Sequence, residues 1–234
     1  MIENGFATLI TFLIAIAWLR LNDFAAQRGW ISSDLSRKII HIGTGPLFVL
    51  CWLIYPDHAL ARYFAALVPL AITAQFILVG LGVIKDEAAV KAMSRSGNRR
   101  EILRGPLLYG IAFVALTLIY WRDSPIGMAA LMILCGGDGL ADVIGRRFGR
   151  RKLPWNASKS WVGSLGMLVG GWLTAALILM VYHAAGRFTL DVGYAIFALA
   201  GMSLGSAIVE TLPLKDIDNL TITLSALLVG HLLF

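Results

Sequence analysis

Long, uninterrupted runs of apolar residues alternate along this chain with short stretches rich in charge. Eight runs are candidates for membrane-spanning segments, at residues 5–21, 39–55, 62–84, 106–121, 125–145, 162–182, 191–210 and 219–234. Their apolar residues are continuous and do not alternate with polar ones, which favours helices over the strands of a membrane barrel. The last run is short. The fifth carries Gly136, Gly137 and Gly139, which we expect to break its helix.

The composition agrees with an integral membrane protein, because 58% of the residues are hydrophobic, 15% are charged and the mean hydropathy is +0.77. Only helices and closed barrels satisfy their backbone hydrogen bonds within lipid. The sequence therefore predicts an all-α protein, a polytopic transmembrane helix bundle with 7–8 spans. The 234 residues form a single domain in this interpretation.

Nearly all basic residues fall in alternate connections between the predicted spans. The first, third, fifth and seventh connections hold every Lys and Arg except Arg62, Arg122 and Arg187. Short connections rich in Lys and Arg stay on the cytoplasmic side of a membrane. We therefore predict cytoplasmic odd connections and two outside termini, in the cell inner membrane. The clustering of the +6 net charge in these loops suits phosphate or anionic lipid and argues against a nucleic-acid partner.

Two acidic residues, Asp138 and Asp142, lie inside the fifth apolar run and share one helical face. At 1.5 Å per residue they lie about 12 Å and about 6 Å inside Arg146, which marks the end of the run. Burying ionisable groups in a membrane span is costly and usually functional, and two carboxylates at this spacing suit Mg²⁺. The alternative is that each acid pairs with a neighbouring Arg or caps a broken helix.

The connection that follows these acids is basic and rich in glycine. Glycines let the backbone approach a ligand closely, and basic side chains bind phosphate, which makes candidates of Gly145, Arg146, Gly149 and Lys152. We expect Asn156 or Ser158 to cap the sixth helix and Lys159 and Ser160 to occupy its first turn, where an anion is favoured. A lysine there is unfavourable without a bound anion, so Lys159 is predicted to contact phosphate. For the arginines of the loop, positive-inside bias is a sufficient alternative.

Two further clusters are predicted to reach the same face. Arg37, Lys38 and His41 begin the second span, where they suit a phosphate or hydroxyl substrate, although a lone histidine is equally often a packing residue. The second cluster lies at the end of the seventh span. Its polar residues could bind the metal ion or position the substrate that accepts the phosphoryl group: Glu210, Asp218 and Asn219.

The central stretch also carries a motif. It reads Asp138-x-x-Ala141-x-x-x-Gly145-x-x-x-Gly149, then, after eight residues, Ser158-Lys159-Ser160-Trp161-Val162-Gly163. This pattern resembles the CTP-binding signature of the polyprenol kinases, which comprise dolichol, phytol and farnesol kinases in a superfamily with the phosphatidate cytidylyltransferases. The flanking blocks resemble the phytol kinase branch: Arg37 to His41, Ser94-Arg95-Ser96-Gly97 with Glu101 and Gly105-Pro106-Leu107, Glu210-Thr211-Leu212-Pro213, and Asp216 to Thr221.

The resemblance implies transfer of the γ-phosphoryl group of CTP to an isoprenoid alcohol such as phytol, farnesol or geranylgeraniol. It implies Mg²⁺ on Asp138 and Asp142, and either a carboxylate or His41 as the acceptor of the alcohol proton. Lys159 would hold the triphosphate, together with Gly145, Arg146, Gly149, Lys152, Asn156, Ser158, Ser160, Gly163, Arg37 and Lys38. The chain departs from the dolichol kinase form at Ser158, Ser160 and Val162, which replace Lys, Thr and Glu, so no catalytic carboxylate is expected at position 162.

Two other functions would use the same residues. Cytidylyl transfer onto phosphatidate would release pyrophosphate and form a CDP-lipid. A cation- or proton-coupled transporter would place its acids near the middle of the membrane. The predicted partners of the kinase are a membrane-embedded alcohol and a nucleoside triphosphate, and its acids lie towards one surface, beside a basic loop.

Overall fold

The structure, a computed structural model, describes residues 1–94, 96–214 and 216–234. Arg95 and Lys215, which contribute to the predicted orientation in the membrane, lie outside the described residues. The described chain forms ten α-helices: α1 (Ile2–Gln27), α2 (Ser33–Cys51), α3 (Ala61–Leu81), α4 (Glu87–Met93), α5 (Gly105–Ile119), α6 (Pro125–Met132), α7 (Gly139–Phe148), α8 (Trp161–Ala184), α9 (Val192–Glu210) and α10 (Asp218–Leu233). Short 3₁₀ turns cover Trp52–Ile54, Arg99–Leu103 and Trp121–Asp123.

Seven helical segments within the described ranges are long and apolar enough to cross a membrane: Ile2–Gln27, Ser33–Ile54, Ala61–Leu81, Arg99–Ile119, Pro125–Phe148, Trp161–Ala184 and Val192–Glu210. The eighth predicted span corresponds to α10, which is apolar but has only 16 residues. The prediction of an all-α transmembrane bundle is confirmed.

The central helix of the bundle is the segment Pro125–Phe148. In its apolar part 78% of the residues are buried inside the protein, against 17% for α1 at the periphery. The expected break at its glycines is wrong. A six-residue π-helical turn, Ile133–Asp138, joins α6 to α7 without interrupting the segment. Glycines allow this turn to lie directly against α8, because a Cβ at Gly170 would be 2.8 Å from the Gly136 carbonyl oxygen.

The basic residues outside the alternating pattern have structural partners at the end of the bundle remote from the central acids. The guanidinium of Arg122 is buried and donates to the carbonyls of Trp52, Tyr55 and Pro56 at 2.7–2.9 Å. Arg187 forms an ion pair of 2.7 Å with Asp57, and Arg62 forms one of 2.9 Å with Asp123. These residues tie connections together, which accounts for their departure from the charge pattern.

A two-stranded antiparallel hairpin precedes α8, where the sequence predicts a loop and a helix start. Its strands are β1 (Lys152–Leu153) and β2 (Asn156–Ser160). The N-cap of α8 is Ser160, whose hydroxyl accepts from the Gly163 backbone N–H at 3.2 Å. The expected caps Asn156 and Ser158 are therefore wrong, and Lys159 lies in the strand and not in the first helical turn.

Candidate active site

One cavity of about 810 Å³ opens at the end of the bundle where the predicted site residues meet. All of the predicted site residues line it except Gly149. The close approach at Gly149 is internal to the protein, because a Cβ there would overlap the Ser160 hydroxyl and the Gly145 carbonyl. Gly149 therefore packs the end of α7 against the hairpin, and its contact with nucleotide stays a prediction.

The two central acids face basic side chains across the cavity. Asp142 lies 3.0 Å from the ammonium of Lys38 on α2 and accepts a 2.9 Å hydrogen bond from Arg146, one helical turn later. Asp138 lies 3.3 Å from Nε2 of His41. Asp142 thus has the neighbouring Arg that the alternative interpretation expected, together with Lys38 from α2, whereas the neighbour of Asp138 is the His41 ring of α2.

Lys159 and Glu210 form a partly buried ion pair between β2 and the C-terminal end of α9. Asp218, at the start of α10, lies 3.5 Å from the same ammonium. Burial disfavours the charged lysine, but the carboxylates of Glu210, Asp138 and Asp218 outweigh burial and hold the pKa of Lys159 above its usual 10.5. These acids, and not a helix N-terminus, explain why a lysine occupies this position.

Some predicted nucleotide contacts are already used within the protein. The Asn156 amide donates to the carbonyls of Thr211 and Leu212 at 3.1 and 3.3 Å, and its oxygen accepts from the Ser158 hydroxyl at 2.6 Å. Asn156 therefore fastens the hairpin to the end of α9. Arg37 pairs with Asp34 and donates to the Ser94 carbonyl, which leaves Lys38 as the α2 cation at the central acids.

The donor set fits Mg²⁺ only with help from a substrate. Among the described residues no three His, Cys, Asp or Glu side chains are grouped closely enough to hold a metal alone. Mg²⁺ commonly takes one or two carboxylates and completes its shell with water and substrate phosphates. Two buried carboxylate oxygens at the cavity, Oδ2 of Asp142 and Oε2 of Glu210, accept no well-aligned hydrogen bond within the described chain, although Lys38 lies near the former. Asp138 and Asp142 thus suit a metal that arrives with a nucleotide.

Sequence reasoning missed several polar residues of this cavity. Arg104, at the start of α5, forms a 2.8 Å ion pair with Asp216. The ring of Tyr109 lies 4.5 Å from that of His41, and its hydroxyl donates to the His41 carbonyl at 2.8 Å. Neither residue carries a sequence signal, because each acquires its partner only through the packing of α5 against distant helices.

The cavity continues from its charged end as an apolar arm between α1, α2, α3 and α5. This arm is lined by side chains that no sequence motif singles out, among them Ala15, Leu47, Phe48, Ile72, Phe76 and Phe113. A charged, open end and an apolar interior therefore belong to one continuous space.

Comparison with known proteins identifies the family to which this chain is related. The chain is 40% identical to a wheat (Triticum aestivum) protein named probable phytol kinase, chloroplastic, over 100% of this chain and 79% of that protein. It is 43% identical to an Arabidopsis thaliana protein named farnesol kinase, chloroplastic, over 96% and 74% of the two chains. It is 39% identical to Arabidopsis phytol kinase 1, chloroplastic, over 89% and 69%. No family model matches the chain, and no solved structure matches it.

These identities extend along nearly the whole chain and include the stretches that build the cavity. They agree with the seven apolar helices and with the resemblance already seen in the central motif. This chain belongs to the phytol and farnesol kinase family of integral membrane enzymes.

Proposed function

We propose that this protein transfers the γ-phosphoryl group of CTP to the hydroxyl of an isoprenoid alcohol, giving the prenyl monophosphate and CDP. The observation that carries the proposal is the single cavity with a charged end and an apolar arm. A nucleotide requires the first and a membrane-soluble alcohol requires the second. The names of the relatives, phytol kinase and farnesol kinase, support the acceptor class. CTP as donor is supported by the resemblance of the Asp138–Gly163 motif.

The chemistry needs little beyond positioning and charge neutralisation. In phosphoryl transfer the alcohol oxygen bonds to the γ-phosphorus while the bond to the β-phosphate oxygen breaks, and most catalysis is electrostatic. Asp138 and Asp142 would hold Mg²⁺, which would neutralise phosphate oxygens when bound. Lys159 and Lys38 supply fixed positive charge at the same end of the cavity. The alcohol proton passes to a carboxylate or to His41.

The cations of this end are positioned before any nucleotide arrives. Glu210 and Asp218 hold Lys159, and Asp142 holds Lys38. Charges that are already oriented need not reorganise as the transition state forms, which is the main advantage of an enzyme site over water. Binding a triphosphate would exchange some of these carboxylate contacts for phosphate contacts.

The predicted orientation completes the proposal. The charged end of the cavity lies where the predicted odd connections meet, and positive-inside bias supports its assignment to the cytoplasmic face of the inner membrane. There a nucleotide reaches the charged end from solution while the alcohol tail stays in the hydrophobic part of the protein.

A donor and acceptor panel tests this function. Purified protein in detergent or vesicles is incubated with Mg²⁺, with CTP or ATP, and with geraniol, farnesol, geranylgeraniol or phytol, and the lipid product is identified by mass spectrometry. We expect a prenyl monophosphate with CTP and its loss in Asp138→Asn. Phosphatidate is added as a further acceptor, and formation of a CDP-lipid from it in place of a prenyl monophosphate would contradict the proposal.

A further inference from the structure

The apolar arm has the depth and the closed end of a site for a hydrocarbon chain. It follows α2 from His41 to Cys51, which is about 15 Å at 1.5 Å per residue. On the facing helices it runs from Leu19 to Thr11 and from Phe76 to Val68, about 12 Å in each case. The lengths measured along the three helices therefore give an arm about 12–15 Å deep.

The polar groups along the arm are largely satisfied within their own helices. The hydroxyls of Thr11, Thr44 and Thr73 each donate to the carbonyl four residues earlier, at 2.6–2.8 Å. A ligand in the arm thus meets few free hydrogen-bonding groups, which excludes a sugar or a second nucleotide. One buried indole N–H, that of Trp18, has no acceptor in the described chain, but its ring packs against Gly43, close to His41 and the charged end.

Aromatic packing closes the arm at its far end. Trp52, Tyr55 and Trp121 are almost fully buried and do not line the cavity. The ring centroid of Trp121 lies 5.0 Å from that of Trp52 and 5.7 Å from that of Tyr55. The Tyr55 hydroxyl lies 3.3 Å from that of Thr8, one turn before Thr11. Arg122 fixes the turn after α2 through its three carbonyl contacts. The floor at Thr11, Cys51 and Val68 therefore rests on a rigid layer.

We propose that this arm binds the isoprenoid tail and that its floor limits the tail to about three isoprene units. At a C–C bond length of about 1.52 Å, the four main-chain carbons of one unit extend about 5 Å, so three units fill an arm of about 15 Å. A farnesol-length tail fits extended. The fourth unit of a C20 alcohol has to bend or leave the arm. This inference rests on the proposed function and adds the part of the chain that selects the alcohol.

A bulky side chain placed inside the arm tests whether the arm binds the isoprenoid tail. Ala15 lies one helical turn, about 6 Å, from the floor residue Thr11, so Ala15→Phe leaves about 9 Å of an arm of about 15 Å, which is room for about two units. We expect kcat/KM for farnesol to fall at least about tenfold, since even one methylene in a fitted pocket is worth that factor, while geraniol is retained within about threefold. The matched control is Ala17→Phe, on the exposed side of the same helix and outside the cavity. Val68→Phe, at the floor on α3, shortens the arm from its closed end and provides the second test if Ala15→Phe does not fold.

The outcomes separate this inference from the proposed function. A wild-type protein that phosphorylates no prenol of any length would overturn both. A wild type that is active but prefers C20 to C15 alcohols, or whose length profile is the same in Ala15→Phe as in Ala17→Phe, would overturn only the tail assignment. Equal loss of turnover with every chain length in a folded Ala15→Phe protein would also overturn it.

Discussion

Lys159→Met should separate the structural role of this lysine from its role in catalysis. The substitution leaves the Glu210 carboxylate, whose side chain is only 3% exposed, without its cationic partner. Removing one member of a buried ion pair costs about 3–5 kcal/mol, and we expect about 3 kcal/mol because the Lys159 side chain is 23% exposed. For a chain of this size roughly 2–4 °C are lost per kcal/mol, so the melting temperature should fall by about 6–12 °C.

The double variant Lys159→Met with Glu210→Leu separates the structural role of Lys159 from its catalytic role. Replacing both members of a buried ion pair by apolar residues is often neutral for stability. The melting temperature of the double variant should therefore be close to that of the wild type. Turnover should stay at background, because no ammonium remains to contact the phosphates. Thermal unfolding in detergent and the prenol phosphorylation assay measure the two properties, and the exposed Arg150→Met serves as the control. Recovery of turnover along with stability would refute the assignment of Lys159 to the nucleotide.

Four further predictions follow from individual contacts. Asp142→Asn should lower turnover at least about tenfold and raise the Mg²⁺ concentration needed for half-maximal activity, as a metal titration would show. Arg122→Met should destabilise the protein by about 1–3 kcal/mol, visible as a lower melting temperature, because the carbonyls of Trp52, Tyr55 and Pro56 each lose a hydrogen bond from the guanidinium. Gly170→Ala should cost about 1–3 kcal/mol by overpacking against the central helix, whereas Gly5→Ala, with open space around it, should be neutral. Because the folded-state pKa of Lys159 is raised, its contribution to stability should be constant below pH about 10 and lost only as pH rises through that raised pKa, which thermal unfolding across pH would measure.

The helices and the gathering of charged residues could be predicted because each follows from a local or statistical rule. Long apolar runs must be helical in lipid, and antiparallel helices bring alternate ends to one face. Residues as distant in sequence as Lys38, Asp142, Lys159 and Glu210 therefore meet in one cavity. Which of these charged residues form ion pairs could not be predicted, because each contact depends on how the helices are rotated and how far each is shifted along its axis.

The hairpin was missed for a physical reason. Its strand Asn156–Ser160 contains no β-branched or aromatic residue, and its pairing with Lys152–Leu153 is held mainly by backbone hydrogen bonds. The two-residue turn at Pro154 and Trp155 was the only available signal. This error moved Lys159 from a strand to a helix N-terminus and left its protein partners, Glu210 and Asp218, unpredicted.

The apolar arm was invisible for a related reason. A helix that is apolar on all sides has no amphipathic pattern to show which face meets protein and which meets lipid. Ala15 and Ala17 on α1 look alike in sequence, yet only Ala15 lines the cavity. Packing of four helices decides this, and no single stretch of the chain contains the information.

In the proposed reaction one cavity brings a nucleotide γ-phosphate to an isoprenoid hydroxyl. The most direct measurement supplies purified protein with farnesol and with CTP labelled either at the α- or at the γ-phosphate, and then separates lipid from nucleotide. We expect the γ-label in farnesyl monophosphate and the α-label in CDP. Label from the α-phosphate in the lipid, accompanied by release of pyrophosphate, would contradict it.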